Sequence, residues 1–232
     1  TSRLTVTVFD VTRNSTSAVF VATQDSSAPL VTITSSAASV KSVNTQNRLT
    51  LAASVTVQSS CTAVWSVDDS SVALAASALS AVSTVIPVGS TRALNLVIAA
   101  SALPQRSSLV FTLACGASST GITVTTNGPP LPGVFTVTPA TGVELSTNFA
   151  FSALFWSDPD LPISYQFGFV SASTGSTLTL NGRSEASSAT NTLAAGPSST
   201  QNAVICSVQV YDALNAVATT TSSVTVTPQT NA

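Results

Sequence analysis

Short segments in which apolar and polar residues alternate recur along the chain and are separated by turn-forming residues. Clear examples are residues 4–8, 49–57, 93–98, 109–113 and 164–169. Because successive side chains of a β-strand point to opposite faces of a sheet, such alternation predicts strands that bury one face. Many short strands with frequent turn signals are typical of sandwiches and barrels. The pattern therefore predicts an all-β protein built from immunoglobulin- or fibronectin-III-like sandwiches.

A proline-rich segment divides the chain. Residues 127–133 contain three prolines, which lack amide donors and do not fit a central strand. A short, stiff connector between two domains tolerates them. The length of 232 residues also suits two domains better than one. We therefore expect one sandwich at residues 29–130 and a second at residues 131–232, joined by this linker.

An internal repeat marks the ends of these domains. The sequence Val-Thr-Val-Phe-Asp at residues 6–10 returns as Val-Gln-Val-Tyr-Asp at residues 208–212, and each is followed by a second valine-rich segment. The pattern predicts the last two strands of a sandwich, seen twice. Residues 1–28 are then either the C-terminal hairpin of a preceding repeat or extra strands docked on the next domain.

The first sandwich has a predicted core tryptophan, Trp65, on its third strand. Cys61 shares a face with Trp65, and Cys115 shares a face with Phe111 on the sixth strand. The third and sixth strands are antiparallel neighbours in this topology, so the start of one lies beside the end of the other. We therefore expect a Cys61–Cys115 disulfide, worth about 4 kcal/mol by loop closure, and an oxidising compartment. The alternative is two unpaired buried thiols.

The second sandwich has a predicted aromatic core. Tyr165 and Phe167 fall on one face of a strand, and Trp156 precedes them. Cys206 alternates with neighbouring valines, which favours a small, buried, free thiol over a reactive or intermolecular cysteine.

The composition argues against catalysis and against charged partners. Histidine is absent, which excludes a Ser-His-Asp triad, and no nucleophile elbow or phosphate-binding glycine loop is present. The paired acids Asp68/Asp69 and Asp158/Asp160 stand where aspartate usually caps turns. Seven basic against nine acidic residues form neither a basic stripe for nucleic acid nor a polybasic segment for lipid. We expect no enzyme, no cofactor and no direct membrane contact.

Two further sites are candidates. Asp158, Asp160 and Asp212 are expected to converge at strand ends and are weak candidates for calcium ligands, although calcium needs six to eight oxygens. Asn14-Ser-Thr is the one Asn-x-Ser/Thr acceptor for a glycan and lies in a predicted hairpin turn.

The sequence Trp-x-Asp-x-Asp-Leu-Pro-x-x-Tyr-x-Phe at residues 156–167 is the most specific motif of the chain. In this motif the chain resembles a known family, the REJ (receptor for egg jelly) module of polycystin-1-like proteins. Upstream, residues 94–96, 103 and 109–113 fit the preceding part of the module, so the resemblance covers most of residues 29–232. Some members carry extra cysteines where this chain has Phe135 and Ala153. Other matching positions are Asn127, Pro129, Pro130, Gly133, Val137, Pro139, Gly142, Thr147 and Phe149.

The resemblance implies a non-catalytic module in the extracellular part of a large ciliary or gamete-surface protein. It implies an adhesive or force-bearing spacer, with neighbouring domains of the same chain as its first partners. The alternative is a recognition module that binds an extracellular protein or a glycan. The first residue is Thr1 and no signal peptide is visible, so we expect targeting and membrane segments elsewhere in a longer chain.

Overall fold

The computed structural model describes residues 2–10, 13–21, 28–34 and 42–229. Within this part of the chain the secondary structure is almost wholly β, with one helical turn at Leu74–Ser77 and a 3₁₀ turn at Ser198–Thr200. No helix there is long and apolar enough to cross a bilayer. The predicted all-β class is confirmed.

The strands in chain order are β1 Ser2–Asp10, β2 Arg13–Val21, β3 Leu30–Ile33, β4 Val43–Asn44, β5 Leu49–Leu51, β6 Ala53–Thr56, β7 Cys61–Val67, β8 Ser83–Ile86, β9 Thr91–Ala93, β10 Leu96–Ile98, β11 Ser108–Cys115, β12 Ser118–Asn127, β13 Val134–Thr138, β14 Thr141–Val143, β15 Phe149–Leu154, β16 Ser164–Val170, β17 Thr177–Ser184, β18 Ser188–Asn191, β19 Ala203–Tyr211 and β20 Val217–Thr227.

The chain divides into two compact units that do not follow the sequence in single blocks. The first unit comprises Thr1–Val40, Leu49–Ala99 and Leu109–Val124. The second comprises Lys41–Arg48, Ala100–Ser108 and Thr125–Ala232. Three segments of the predicted first domain, residues 41–48, 100–108 and 125–130, thus belong to the second unit. The predicted boundaries at residues 28/29 and 130/131 stay a prediction.

Strands β1 and β2 form an antiparallel hairpin, from Ser2↔Val21 to Asp10↔Arg13. Among the described residues this hairpin is a sheet of its own. Asn14 lies opposite Phe9, beside the turn. Only the backbone of Asn14 is described, so its glycosylation stays a prediction, as do the two alternatives for residues 1–28.

The first unit is a sandwich with an apolar centre. Strands β3, β6 and β9 form one sheet. Strands β5 and β10 also pair with each other, in the same register as the β6–β9 pair. Strands β12, β11, β7 and β8 form the facing sheet. Apolar residues at alternate positions on both sheets are buried, including Leu51, Val55, Trp65 and Phe111. The indole N–H of Trp65 donates to the carbonyl of Leu94 at 3.2 Å, which satisfies its polar atom.

The predicted disulfide is confirmed. Strands β7 and β11 are antiparallel neighbours with Leu113 opposite Trp65. Cys61 begins β7 and Cys115 ends β11, so their Cα atoms lie 5.8 Å apart and their sulfurs are bonded. The bond closes a loop with a sequence separation of 54 and lies within one sheet.

The second unit repeats this architecture. One sheet has the order β13-β15-β18 and the other β14-β20-β19-β16-β17. Trp156, Tyr165 and Phe167 are buried between them. Phe151 packs edge-on against Phe167, with ring centroids 5.9 Å apart. Such aromatic pairs add about 0.5–1.5 kcal/mol beyond their burial.

The entry strand of the second sandwich changes sheets. Strand β13 pairs antiparallel with β15, whereas β14 pairs parallel with the last strand, β20. Position 142 in β14 requires glycine, because a Cβ atom there would lie 2.6–2.7 Å from side-chain atoms of Thr147 and Phe149. Strand β4 makes the corresponding parallel pair with Thr126 and Asn127, at the end of β12.

Candidate functional site

The three calcium candidates do come together. Oxygens of Asp158, Asp160 and Asp212 all lie within 4.8 Å of one another. Asp158 and Asp212 are buried, and Asp160 is half-buried. The strand ends of β15 and β19 supply them, as the sequence indicated. The oxygens of the two buried carboxylates are already committed to protein donors, described next.

Asp212 follows β19 and organises the turn into β20. Its Oδ1 accepts the backbone N–H groups of Leu214 at 2.9 Å and Ala216 at 2.8 Å. Its Oδ2 accepts the side-chain amide of Asn127. Asp212 has no exposed surface, so these donors replace the water that a free carboxylate would bind.

Asp158 has a similar complement of donors. Its Oδ1 accepts the N–H of Asp160 at 2.8 Å, which is an aspartate-capped turn. Its Oδ2 forms an ion pair with Arg106 at 3.0 Å. The Asp158 side chain is 0% exposed and that of Arg106 is 32% exposed. Arg106 also donates to the carbonyl of Pro129, in the proline-rich linker.

This arrangement does not favour calcium. All four oxygens of Asp158 and Asp212 accept protein hydrogen bonds, and a guanidinium group already lies beside the carboxylates. Of the three clustered carboxylates, Asp160 is the one that accepts no hydrogen bond from the described residues. A calcium site needs six to eight oxygens, which this cluster does not offer without breaking its own bonds.

Two residues that the sequence did not single out, Asn44 and Gln46, complete the network. The amide of Asn44 donates to the carbonyl of Leu214 at 2.7 Å, and its oxygen accepts from Asn127 at 2.8 Å. Gln46 donates to the carbonyl of Val217 at 2.9 Å and accepts its N–H at 3.0 Å. Such isolated polar residues carry no periodic signal, whereas the family motif and the repeat made Asn127, Asp158, Asp160 and Asp212 visible beforehand.

The other paired acids, Asp68 and Asp69, also accept backbone amides. Asp69 accepts the N–H of Ser71 at 2.8 Å, and hydrogen bonding from Ser71 lowers the pKa of Asp69. Asp68 accepts the N–H of Val110, on β11, at 2.8 Å. Asp69 therefore caps its own turn, as aspartate commonly does, whereas Asp68 binds a distant strand.

Cys206 lies in the core of the second unit and is not part of a disulfide. Burial raises the pKa of its thiol to about 11, so the thiol is neutral at ordinary pH and packs as a small apolar group.

An apolar patch remains on the surface of the second unit. We call Leu131, Val134, Leu154 and Phe155 the apolar patch. Val134 lies opposite Leu154 in the β13–β15 ladder, and all four side chains are exposed. Phe155 is 83% exposed and has a positive φ of 63°, a backbone region that costs about 1–2 kcal/mol for such a residue.

These features define the class of protein. The first sandwich contains the disulfide and the second has an aromatic core. Together the two sandwiches form an immunoglobulin-like structural module. A family model described as the REJ domain matches residues 1–232, the whole chain, so the chain belongs to the REJ domain family. No curated protein matches the chain. Family membership and the disulfide together indicate an extracellular module.

Several solved structures are distantly similar. Domains A168–A170 of titin share 10% identity at a TM-score of 0.39, over 97% of this chain and 75% of that one. A calcium-stabilised adhesin that helps an Antarctic bacterium bind ice shares 16% identity at 0.40, over 99% and 57%. The first eight immunoglobulin domains of the Down syndrome cell adhesion molecule share 16% at 0.37, over 81% and 23%. The family assignment rests on the family model alone.

Proposed function

We propose that the chain is a non-catalytic spacer that bears load along a large cell-surface protein. A spacer needs bonds that resist extension and needs no reactive site. The proposal rests chiefly on how the first and last strands of the second sandwich pair.

Strands β14 and β20 run parallel, so pulling the ends of this sandwich apart slides one strand along the other. Their bonds would then be loaded together in shear, and not one after another. Thr225 N–H donates to the carbonyl of Ala140, and Glu144 N–H donates to that of Thr227, each at 2.9 Å. The hydroxyl of Thr227 donates to the carbonyl of Gly142 at 3.2 Å. This parallel pair is the observation that carries the proposal.

Covalent and packing features support the same role. The Cys61–Cys115 bond limits how far the first sandwich extends if it opens. The buried Trp65 and Trp156 each lie in an apolar core, so opening either sandwich exposes a large aromatic side chain to water.

Single-molecule pulling of the full chain tests this proposal. We expect at least two cooperative unfolding events, of which the second sandwich releases about 100 residues and the first fewer, because its disulfide retains the chain between Cys61 and Cys115. A single event, or a featureless extension, would contradict it.

A second candidate function is recognition of a protein or a glycan, and the apolar patch favours it. Monomeric proteins rarely hold strained, exposed aromatic side chains next to other apolar ones without an interaction. Phe155, as the largest exposed member, would be the anchor.

Binding to an immobilised panel of glycans and peptides tests the recognition function. We expect Phe155→Ser to abolish any binding of the wild type. The matched control is Leu145→Ser, because Leu145 is equally prominent and also has a positive φ but lies outside the patch. Equal binding by wild type and Phe155→Ser would remove this candidate.

A further inference from the structure

Two segments of the second unit converge on the turn between β19 and β20. They supply Asn44, Gln46 and Asn127, which we together call the latch. The bonds of Asn44, Gln46 and Asn127 to this turn span 85 to 171 positions of sequence. All three residues lie in the range 29–130 that the sequence predicts as the first sandwich, whereas the turn lies in the predicted second sandwich.

The turn needs the latch because its central carboxylate is buried. A charged group removed from water destabilises a fold by several kcal/mol unless donors satisfy it. Two donors to Asp212 come from its own turn, and the third comes from Asn127, which is itself buried. Without Asn127, one oxygen of Asp212 would face the interior without a partner.

The latch residues also support one another. Asn127 donates both to Asp212 and to Asn44, and Asn44 in turn holds the carbonyl of Leu214. Gln46 closes the far side of the turn with its paired bonds to Val217. Strand β4 contributes to this geometry, since its pairing with β12 places Asn44 opposite Asn127.

We propose that the latch works as one cooperative device that keeps the turn at residues 212–217 closed. The second sandwich is therefore not an independent folding unit, because part of its stability comes from chain that the sequence assigns to the first repeat. This inference concerns folding and stands whether or not the module bears load.

Amide hydrogen exchange on the full chain tests the latch. The amides of Leu214 and Ala216 report on Asp212, and the amide of Val217 reports on Gln46. In a cooperative latch, Asn127→Ala speeds exchange at Val217 about tenfold although Asn127 does not contact it. Gln46→Ala likewise speeds exchange at Leu214 and Ala216.

The double variant separates a latch from unrelated contacts. We expect it to exchange no faster than the faster single variant, because either change opens the whole device. Two outcomes together would overturn the proposal. Each single variant would speed exchange only at the amides that the replaced residue contacts, and the two effects on exchange would add in the double variant.

Asn191→Ala is the matched control, because Asn191 also makes a side-chain bond, to Asn181, in the same unit. It is expected to leave all three turn amides unchanged, and equal acceleration there would mean general destabilisation and contradict the latch. Gln46 is exposed, so Gln46→Ala keeps the test available even if Asn127→Ala fails to fold.

Discussion

The two sandwiches tie together the same pair of strands by different chemistry. In the first, Cys61 at the start of β7 is bonded to Cys115 at the end of β11. In the second, the corresponding strands β16 and β19 meet at Ser164 and Tyr211. There Arg183 donates to the hydroxyl of Ser164 at 2.6 Å and lies 4.4 Å from the centroid of the Tyr211 ring.

The difference shows that this strand junction can be held covalently or by a single cation. Arg183 also donates to the carbonyl of Asp212 at 3.0 Å, so it braces the turn that the latch holds from elsewhere. A disulfide contributes several kcal/mol by restricting the unfolded chain, whereas a partly exposed cation–π contact contributes about 1 kcal/mol. The first sandwich is therefore sensitive to reduction, and the second is not.

Removing the disulfide should give the largest effect. The double variant Cys61→Ala/Cys115→Ala is expected to lose about 4 kcal/mol in the first unit, because the closed loop is long. Each unit contains one tryptophan, so denaturation followed by fluorescence in a Trp156→Phe background reports Trp65 alone. An unchanged Trp65 transition would show that the bond contributes nothing.

Alkaline pH should destabilise the second unit next most strongly. The pKa of Cys206 is raised from 9.0 to about 11 when folded, so above pH 9 the unfolded chain releases a proton that the folded one retains. Stability is full below pH 9 and falls between pH 9 and 11, by up to about 1.4 kcal/mol per pH unit. Burial raises the pKa of Tyr165 as well, which adds to the fall above pH 10.

Denaturation at pH 8 and pH 10, followed by Trp156 in a Trp65→Phe background, measures this effect. In Cys206→Ala the loss of unfolding free energy between pH 8 and pH 10 is expected to disappear. A slope that persists in this variant would assign the effect to another group.

Replacing Arg183 should have a smaller effect on the second unit. Arg183→Ala is expected to cost about 1 kcal/mol, through loss of its contacts to Ser164, Tyr211 and Asp212. Urea denaturation followed by Trp156 measures it. Arg92→Ala, at an exposed position of the first unit, is the control and should leave that transition in place. A loss as large as that from the disulfide variant would mean that the comparison is wrong.

We expect no calcium binding at the three-aspartate cluster. The oxygens of Asp158 and Asp212 already have donors, and Arg106 lies beside them. Calorimetric titration of the chain with millimolar calcium is expected to release no heat. A saturable heat signal that disappears in Asp160→Asn would show that the network rearranges to admit the ion.

Alternation revealed much of this fold from the sequence. Trp65 and Cys61 share a parity, as do Phe111 and Cys115, so a seven-strand order was enough to pair the cysteines. The alternating strand from residue 164 likewise identified Tyr165 and Phe167 as inward. These features depend on local period and on burial, which a sequence displays directly.

Long-range polar contacts were not accessible in the same way. Asp158, Asp160 and Asp212 were expected to converge, but nothing in the sequence indicated that Arg106 and Asn127 would reach them first. Strand β4 has two residues, too few for a period, so its parallel pairing was also missed. Such contacts depend on where loops from distant segments fall, and local pattern does not encode that.

The load-bearing account depends on shear between β14 and β20, and one pulling comparison tests it directly. Attaching handles at Thr138 and Gln229 loads these parallel strands in shear. Attaching them at Gln201 and Gln229 instead unzips the antiparallel β19–β20 hairpin from its open end. We predict a clearly higher rupture force in the first geometry. Equal forces, or a higher force in the second, would contradict the account.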